Sequence, residues 1–453
     1  MGKILTILDL SSADYWDVRY DSTKFINIQK DLAKERFSSS DFSGIHVRVF
    51  KKGEWRSAAI SQQDPNLDII RKISTFTPKT NGGPNLQTLQ PWKYDKDELG
   101  KKNPEDVSLE EKISLVRNSY SLLKQYDARI VSAFVSYWEV IVEKLFINSE
   151  GSRLRFKAPV FRLGLGAYAR ENGNVQGDYD RLAAFGLGFE FLDQLELEKL
   201  CRSLASGAIE LLQAEKPPSG KVPVVLDPDN AGTLAHESFG HGLEADQVLR
   251  GRSYLKDLLR KPVASEYVTI VDNPAYPNVY GSYPFDDEGI RSRKTVLVEK
   301  GILKSFLHTR ETASHLGVDP TGNGRAESFA KKVFVRMSNT YFEMGDWQLD
   351  EMVEDIDYGV YLVKLRTGME DPLGGSLQMT SHKAYLIEKG EKTKLLRSVT
   401  VSGSALDLLR NVDAVGREFA LGPGHCGKGF EDIVRTTTGG GPVRVKEAVI
   451  GGG

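Results

Sequence analysis

The segment His236-Glu-Ser-Phe-Gly-His241 puts two imidazoles and a carboxylate within six residues. Two neutral imidazoles can hold a divalent ion, and a glutamate beside the first can take a proton from water activated by that ion. Such a set suits hydrolysis. In the HExxH zinc helix the histidines stand four apart and share a face. Here, in an HExxxH pattern, they stand five apart. At about 100° per residue, the second is turned roughly 140° from the first on a regular α-helix. Zinc–nitrogen bonds of about 2.0–2.1 Å cannot be made from opposite faces, so a shared ion requires a distorted helix. Gly240 and Gly242 tolerate distortion, and one wide i→i+5 turn, a device that gathers at functional sites, would return both rings to one side. The spacing therefore predicts a wide turn within Leu234–Asp246, a segment that otherwise reads as the start of a helix.

A catalytic zinc takes three protein ligands and keeps a fourth position for water. Glu244, Asp246, Asp286, Asp287, His425 and Cys426 are the candidates for the third ligand. Glu244 follows His241 too closely to reach across an ion, and a ligand returning from far along the chain closes a tetrahedron more readily. Cys426 lies in Gly422-Pro-Gly-His-Cys-Gly-Lys-Gly429, which reads as a glycine-rich loop able to approach a metal, and its thiolate suits zinc. His425 reads as a loop histidine. In Phe285-Asp-Asp-Glu-Gly289 three adjacent acids cannot all face one ion, so the segment reads as a solvated turn or a source of hydrogen bonds to ligands. Gly322-Asn-Gly324 lacks the lysine and serine of a phosphate loop. Cys201 falls in a helix and reads as structural.

These residues must be positioned by a chain of 453 residues, long enough for two or three domains. Apolar residues at 40% and charged residues at 27% describe a globular protein. A formal net charge of −2 argues against a nucleic-acid partner, and two cysteines fit a reducing compartment. The most apolar run, Ile130–Ile147, is interrupted by Glu139, Glu143 and Lys144 and reads as strand, so no membrane span is expected. The apolar stretch at the N-terminus is too short for a secretory signal. Gly2 with Thr6 matches a loose myristoylation pattern that no second membrane signal accompanies. The expected location is cytoplasmic.

Alternation predicts separate antiparallel strands at Tyr15–Tyr20, Lys24–Ile28 and His46–Phe50. Ser108 with Glu111 predicts a capping box opening a helix to about Lys124. Strands follow from Ala128 to Phe191, with turns at Asn148–Gly151 and Asn172–Gly177. A helix begins near Asp193, with Leu200, Leu204, Ala208, Leu211 and Leu212 on one face. Lys216-Pro-Pro-Ser-Gly-Lys221 breaks regular structure and marks a boundary between residues 1–216 and 217–453. Beyond it Val222–Asp227 reads as a strand feeding the histidine segment. Short strands then recur at Val268–Val271, Val296–Val298, Val333–Val335 and Val360–Val363. The glycine runs 439–441 and 451–453 read as flexible ends. The expected fold class is α+β: an N-terminal mixed domain with antiparallel strands, then a largely antiparallel β domain carrying the metal-binding helix.

An ordered set of motifs gives the sequence a resemblance to the TldD/PmbA (modulator of DNA gyrase) family of metalloproteases. They are Pro218-Ser-Gly-Lys-Val-Pro-Val-Val-Leu226, His236–Asp246, Asp286-Asp-Glu-Gly289, Thr321-Gly-Asn-Gly-Arg325, Arg336-Met-Ser-Asn-Thr340, Gly374-Gly375 and Cys426-Gly-Lys-Gly429. The likeness spans nearly the whole chain and is sharpest from about residue 217. The resemblance implies a C-terminal β domain holding zinc on His236, His241 and Cys426, with Glu237 as catalytic base. It implies hydrolysis of peptide bonds in small or unfolded peptides, through water whose pKa zinc lowers towards about 7. It also implies a homodimer, or a heterodimer with a sister subunit lacking the HExxxH motif. Gly429-Phe430 stands where the family usually has Gly-Gln. Two other readings are a non-catalytic scaffold with a structural zinc, and a hydrolase of a non-peptide bond with a second metal at Asp286 or Asp287.

Overall fold

The computed structural model describes residues 12–61, 67–78, 85–428 and 432–452. The N-terminal segment with Gly2 and Thr6, Gly429-Phe430 and Gly453 lie outside the described residues.

A first sheet is built from β1 (Tyr15–Lys30), β2 (Glu35–Lys51), β3 (Glu54–Ser61), β4 (Lys93–Asp97), β5 (Ile130–Asn148), β6 (Arg153–Glu171) and β7 (Asn174–Phe185). Its order is β3-β2-β1-β5-β6-β4, with β7 also on β6. The two segments expected as separate strands at Tyr15 and Lys24 run together as β1. Asp21, Ser22 and Thr23 keep pairing with Gly44, Ser43 and Phe42, so nothing breaks the ladder. The second expected turn shortens to Asn172-Gly173, both at positive φ (48° and 80°), because Asn174–Gly177 pair with β6. Odd positions of β6, Phe161, Leu163 and Leu165, are buried under helices α1 (Leu109–Lys124) and α2 (Leu197–Glu210). Cys201 sits in that core, as expected. Ser108 Oγ caps α1 by accepting from Glu111 N at 3.2 Å. The Glu111 carboxylate turns to Lys102 Nζ at 2.8 Å, so the cap forms without the expected return bond.

Residues from Gly220 onward form two further sheets. One contains β8 (Gly220–Leu226), β15 (Tyr358–Glu370), β16 (Ser376–Glu388), β17 (Glu391–Ser404), β18 (Val412–Val415) and β21 (Val443–Gly452). Because β17 pairs with both β16 and β21, strands β8, β15, β16, β17 and β21 close into a small barrel. The other sheet runs β11-β10-β9-β14-β20-β19. Its members are β9 (Ile270–Asp272), β10 (Thr295–Glu299), β11 (Ile302–Leu303), β14 (Asn339–Phe342), β19 (Ala420–Lys428) and β20 (Asp432–Gly440). A two-residue ribbon pairs β12 (Gly324–Arg325) with β13 (Phe334–Val335). Pairing is antiparallel except for β4–β6, β8–β15 and β14–β20, and the α+β class expected from the sequence is the observed one. The glycine runs are not free ends, since Gly439-Gly440 lie in β20 and Gly451-Gly452 in β21. Among the described residues no helix is long and apolar enough to cross a membrane.

Asp286, Asp287 and Glu288 are buried, contrary to the expected solvated turn. Asp286 accepts the backbone N–H groups of Glu288, Ile290 and Gly324. Glu288 receives Arg48 at 2.8 Å and Arg310 N at 2.6 Å. Asp287 accepts from Ala326 N at 2.8 Å and pairs with Lys144 and Arg19. The turn is thus the acid half of a junction whose basic half, Arg19, Arg48 and Lys144, comes from the first sheet. Burial alone would raise Asp287, but Lys144 and Arg19 outweigh it and hold the carboxyl at about 2. A depressed folded-state value contributes stability above the ordinary 3.8 that is lost as pH falls towards about 2. Asp287→Asn leaves Lys144 without its carboxylate and Arg19 with Asp21 alone at 3.2 Å, and is expected to lower unfolding stability by about 1–3 kcal/mol at neutral pH. It should also weaken the acid-induced loss over that window. Urea titrations at neutral and acid pH test both, and unchanged midpoints would contradict the assignment.

Candidate metal centre

The segment leading to the histidines is a helix by its own chemistry. Asp227 Oδ1 accepts from Asn230 N at 2.9 Å and Pro228 opens the first turn of α3 (Pro228–Ala235), a start signal that satisfies free N–H groups and fixes φ. The histidine motif therefore sits at the end of this helix, not at its start. Gly232 lets α3 touch β20 directly, since a Cβ there would meet Gly439 N at 1.9 Å.

Regular helix gives way to a π-helical turn over His236–Gly240, then a 3₁₀ turn over His241–Leu243. This is the wide turn that the five-residue spacing requires. Phe239, fully buried, anchors it in the core, and the Tyr254 hydroxyl donates to the Ser238 carbonyl within it. Gly240 backs onto Met337, with a Cβ position only 1.7 Å from Sδ. The imidazole centroids end 5.6 Å apart with the rings at 87°.

Cys426 arrives on β19, an edge strand rather than the expected loop, because its glycine-rich backbone pairs with β20 from Ala420 to Lys428. Arg336 donates to its carbonyl at 2.7 Å. One donor atom from each of His236, His241 and Cys426 lies within 4.8 Å of the others, the only such group among the described residues. Cys426 Sγ stands 3.1 Å from His241 Nε2. Ligand atoms of a tetrahedral zinc site lie about 3.5 Å apart, given bonds of roughly 2.0–2.3 Å, so the spacing suits such an ion. The buried Nδ1 of His236 has no hydrogen-bond partner.

Charge around the cluster is organised for a cation. Burial pushes the Cys426 thiol up, but His236 and His241 outweigh it and hold it well below its usual value. Burial opposes protonation of His241, yet Cys426 and Glu244 raise it well above the ordinary imidazole range. His236 is raised too, chiefly by Cys426 against burial. The thiol and the two imidazoles thus each favour the charged form of the other. Glu244 lies 3.5 Å from His241 Nδ1, 3.0 Å from Lys428 Nζ and 3.5 Å from Arg336 Nε. Burial raises its pKa, but Lys428 and His241 prevail and hold it at about 2. Glu244 supports a histidine rather than joining the donor group.

The remaining candidates are used elsewhere. Asp246 accepts two 2.8 Å bonds from Lys428, and Asp286 and Asp287 serve the acid turn. His425 is in β19, not a loop, and bonds the Tyr280 hydroxyl at 3.0 Å. Neighbouring strand residues face opposite ways, so it points away from Cys426.

Glu237 is half-buried beside the cluster. A Cβ on Gly368 of β15 would meet Thr233 Cγ2 at 2.5 Å, so glycine lets the strand pack closely on α3 next to Glu237. At the end of that strand, both carboxyl oxygens of Glu370 are buried without a partner. Burial, reinforced by Glu237, Glu244 and Cys426 against His241, pushes Glu370 up to about 8. Sequence reasoning missed Glu370 and Tyr254, which stand in no spaced motif. Arg336 and Lys428 were within quoted motifs, and their positive charge near a thiolate ligand was the available signal.

A distorted helix facing a sheet edge, with two imidazoles, a thiolate and a neighbouring glutamate, defines a protein built around a candidate metal centre. Models of the PmbA/TldA metallopeptidase central and C-terminal domains match residues 102–212 and 219–452. A metalloprotease of Methanocaldococcus jannaschii is 39% identical, with 98% of each chain covered. A zinc metalloprotease TldD homologue of Saccharolobus solfataricus is 28% identical over the full length of both chains. A solved structure from Thermotoga maritima, described as a modulator of a DNA gyrase, shares the fold with a TM-score of 0.79 at 22% identity, covering 99% of this chain and 98% of that one. The chain belongs to the PmbA/TldD metallopeptidase family.

Gly240→Ala must displace buried Met337 and is expected to cost about 1–3 kcal/mol and weaken zinc binding at least tenfold, with Met337→Ala in the same chain restoring most of the affinity. Calorimetric zinc titration of the three proteins decides it; absence of rescue would show that this contact does not hold the turn. Glu244→Gln should weaken zinc affinity roughly 10–100-fold in a chelator competition, and an unaltered constant would remove its supporting role.

Proposed function

We propose that this chain is a zinc-dependent peptidase hydrolysing peptide bonds in small or unfolded peptides. The observation carrying the reading is the approach of the His236, His241 and Cys426 donor atoms to within 4.8 Å, with Glu237 alongside. Imidazole and thiolate are ligands that zinc favours, and all three groups are buried or half-buried. When bound, zinc supplies Lewis-acid polarisation of the substrate carbonyl and makes water acidic near neutrality.

The chain's own groups do the rest. Glu237 accepts the proton of the attacking water and returns it to the leaving amine, as the one carboxylate next to a ligand histidine and half open to solvent. Glu244 fixes the tautomer and tilt of His241, with Lys428 and Arg336 holding Glu244 ionised.

A structural zinc in a scaffold needs no base, so Glu237 favours catalysis. A second metal at Asp286 or Asp287 is disfavoured, because both carboxylates are spent on the acid turn. We place the division between an N-terminal α+β unit and the zinc-carrying β unit at residues 216–217. We also infer a dimeric, cytoplasmic protein, either two copies or a pair with a sister subunit lacking HExxxH.

Glu237→Gln should reduce cleavage of an unstructured peptide by at least about 100-fold while zinc content stays the same. Metal analysis paired with a mass-spectrometric cleavage assay measures both, and hydrolysis persisting in this variant would end its assignment as the base.

A further inference from the structure

Even-numbered positions of β6 face away from the helices and towards the C-terminal sheets. At one end this face is apolar, with Val160, Phe185, Tyr280 and Phe285 packed together. It then turns basic. Arg162 pairs with Ala183 and Gly164 with Arg181, so Arg162 and Arg181 are diagonal neighbours on the same face. The opposing wall is the β19–β20 ribbon, where His425 stands directly across from Arg435. Tyr280 joins the walls: its hydroxyl is 3.0 Å from His425 Nε2 and its carbonyl accepts from Arg435 at 2.8 Å. The Arg435 guanidinium lies over the Phe185 and Tyr280 rings at 5.4 and 5.5 Å.

Three guanidiniums therefore act together on His425, with Arg162 over the Trp138 ring at 5.9 Å, and no carboxylate oxygen of the described residues lies within the 4.0 Å ion-pair limit of any of them. The opposite charges nearest in effect act from outside contact distance, Asp229 on Arg181 and Asp287 on Arg435, while Asp229 also accepts from Leu365 N at 2.8 Å and Asp287 from Lys144 and Ala326. Arg325 adds positive charge behind the crevice by donating to the Arg435 carbonyl at 2.7 Å. Burial, with the like charge of Arg181 adding to it, holds the Arg162 guanidinium below its ordinary value. Partly desolvated cations with no carboxylate in direct contact favour an anion that comes between them. His425 is exposed at the mouth, so the crevice is reachable. Planar guanidiniums match a carboxylate through paired N–H donors.

We propose that the crevice formed by Arg162, Arg181, Arg435, His425 and Tyr280 binds a carboxylate of the peptide substrate, on the face of β19 opposite Cys426. The proposal rests on the peptidase reading for its substrate class. Consecutive residues of a strand lie about 3.8 Å apart, so a peptide held at the metal centre can send an acidic side chain or its C-terminus round the edge of β19. The site makes the enzyme selective for acidic peptides.

The test uses zinc-loaded full-length protein carrying Glu237→Gln, so that binding is read without turnover. Fluorescence anisotropy compares an unstructured dansyl peptide rich in glutamate with its glutamine counterpart, each with a free and an amidated C-terminus. The acidic form should bind at least tenfold tighter. Arg162→Gln and Arg181→Gln, singly and together, should erase that difference while zinc content and thermal midpoint stay as before. Loss of preference on amidation alone assigns the C-terminus; loss on Glu→Gln alone assigns a side chain. Equal affinity for all four peptides, or a preference that survives in the double variant, overturns the site. Cleavage of the neutral peptide by protein with Glu237 intact tests the peptidase reading separately. Acid-selective binding without any hydrolysis would retain the crevice and discard the peptidase.

Discussion

Everything at the candidate centre depends on the backbone widening between His236 and His241. Five residues of ordinary helix would aim the two rings apart, whereas the π turn aims both at β19. A wide turn gives up regular i→i+4 hydrogen bonding, and the surroundings offset that loss. Phe239 is driven into the core, and Tyr254 satisfies the Ser238 carbonyl. Met337 fills the space that any side chain at position 240 would need. The distortion is held by packing on three sides, which is how an unfavourable backbone geometry persists in a folded protein.

The second layer is electrostatic. A thiolate, two raised imidazoles and an ionised Glu244 share a volume from which water is largely excluded. Each charge is tolerable only because of the others, and Arg336 and Lys428 supply the outer positive layer. Glu370 is the exception, since its carboxyl oxygens find no partner and burial pushes it up to about 8.

What the sequence made legible is local. The histidine spacing implied the wide turn, and Ser108 marked a helix start. The Asp227-Pro228 helix start was equally local and was passed over, which put the histidines at the wrong end of the helix. The rest is tertiary. Glycines around Cys426 have little strand preference of their own, and only pairing with β20 makes that segment β19. The acid turn looked solvated because its partners, Arg19, Arg48 and Lys144, come from a sheet formed more than a hundred residues earlier. Pairing between Asp21–Thr23 and Phe42–Gly44 likewise overrode the polar break in β1.

The contact between Gly232 of α3 and Gly439 of β20 joins the histidine-bearing helix to the ribbon that delivers the thiolate. That ribbon follows the histidines by well over a hundred residues. A nascent polypeptide emerging from the ribosome thus carries both histidines long before it can complete the donor set. The same ordering leaves any chain that stops ahead of β19 without Cys426 beside the two histidines.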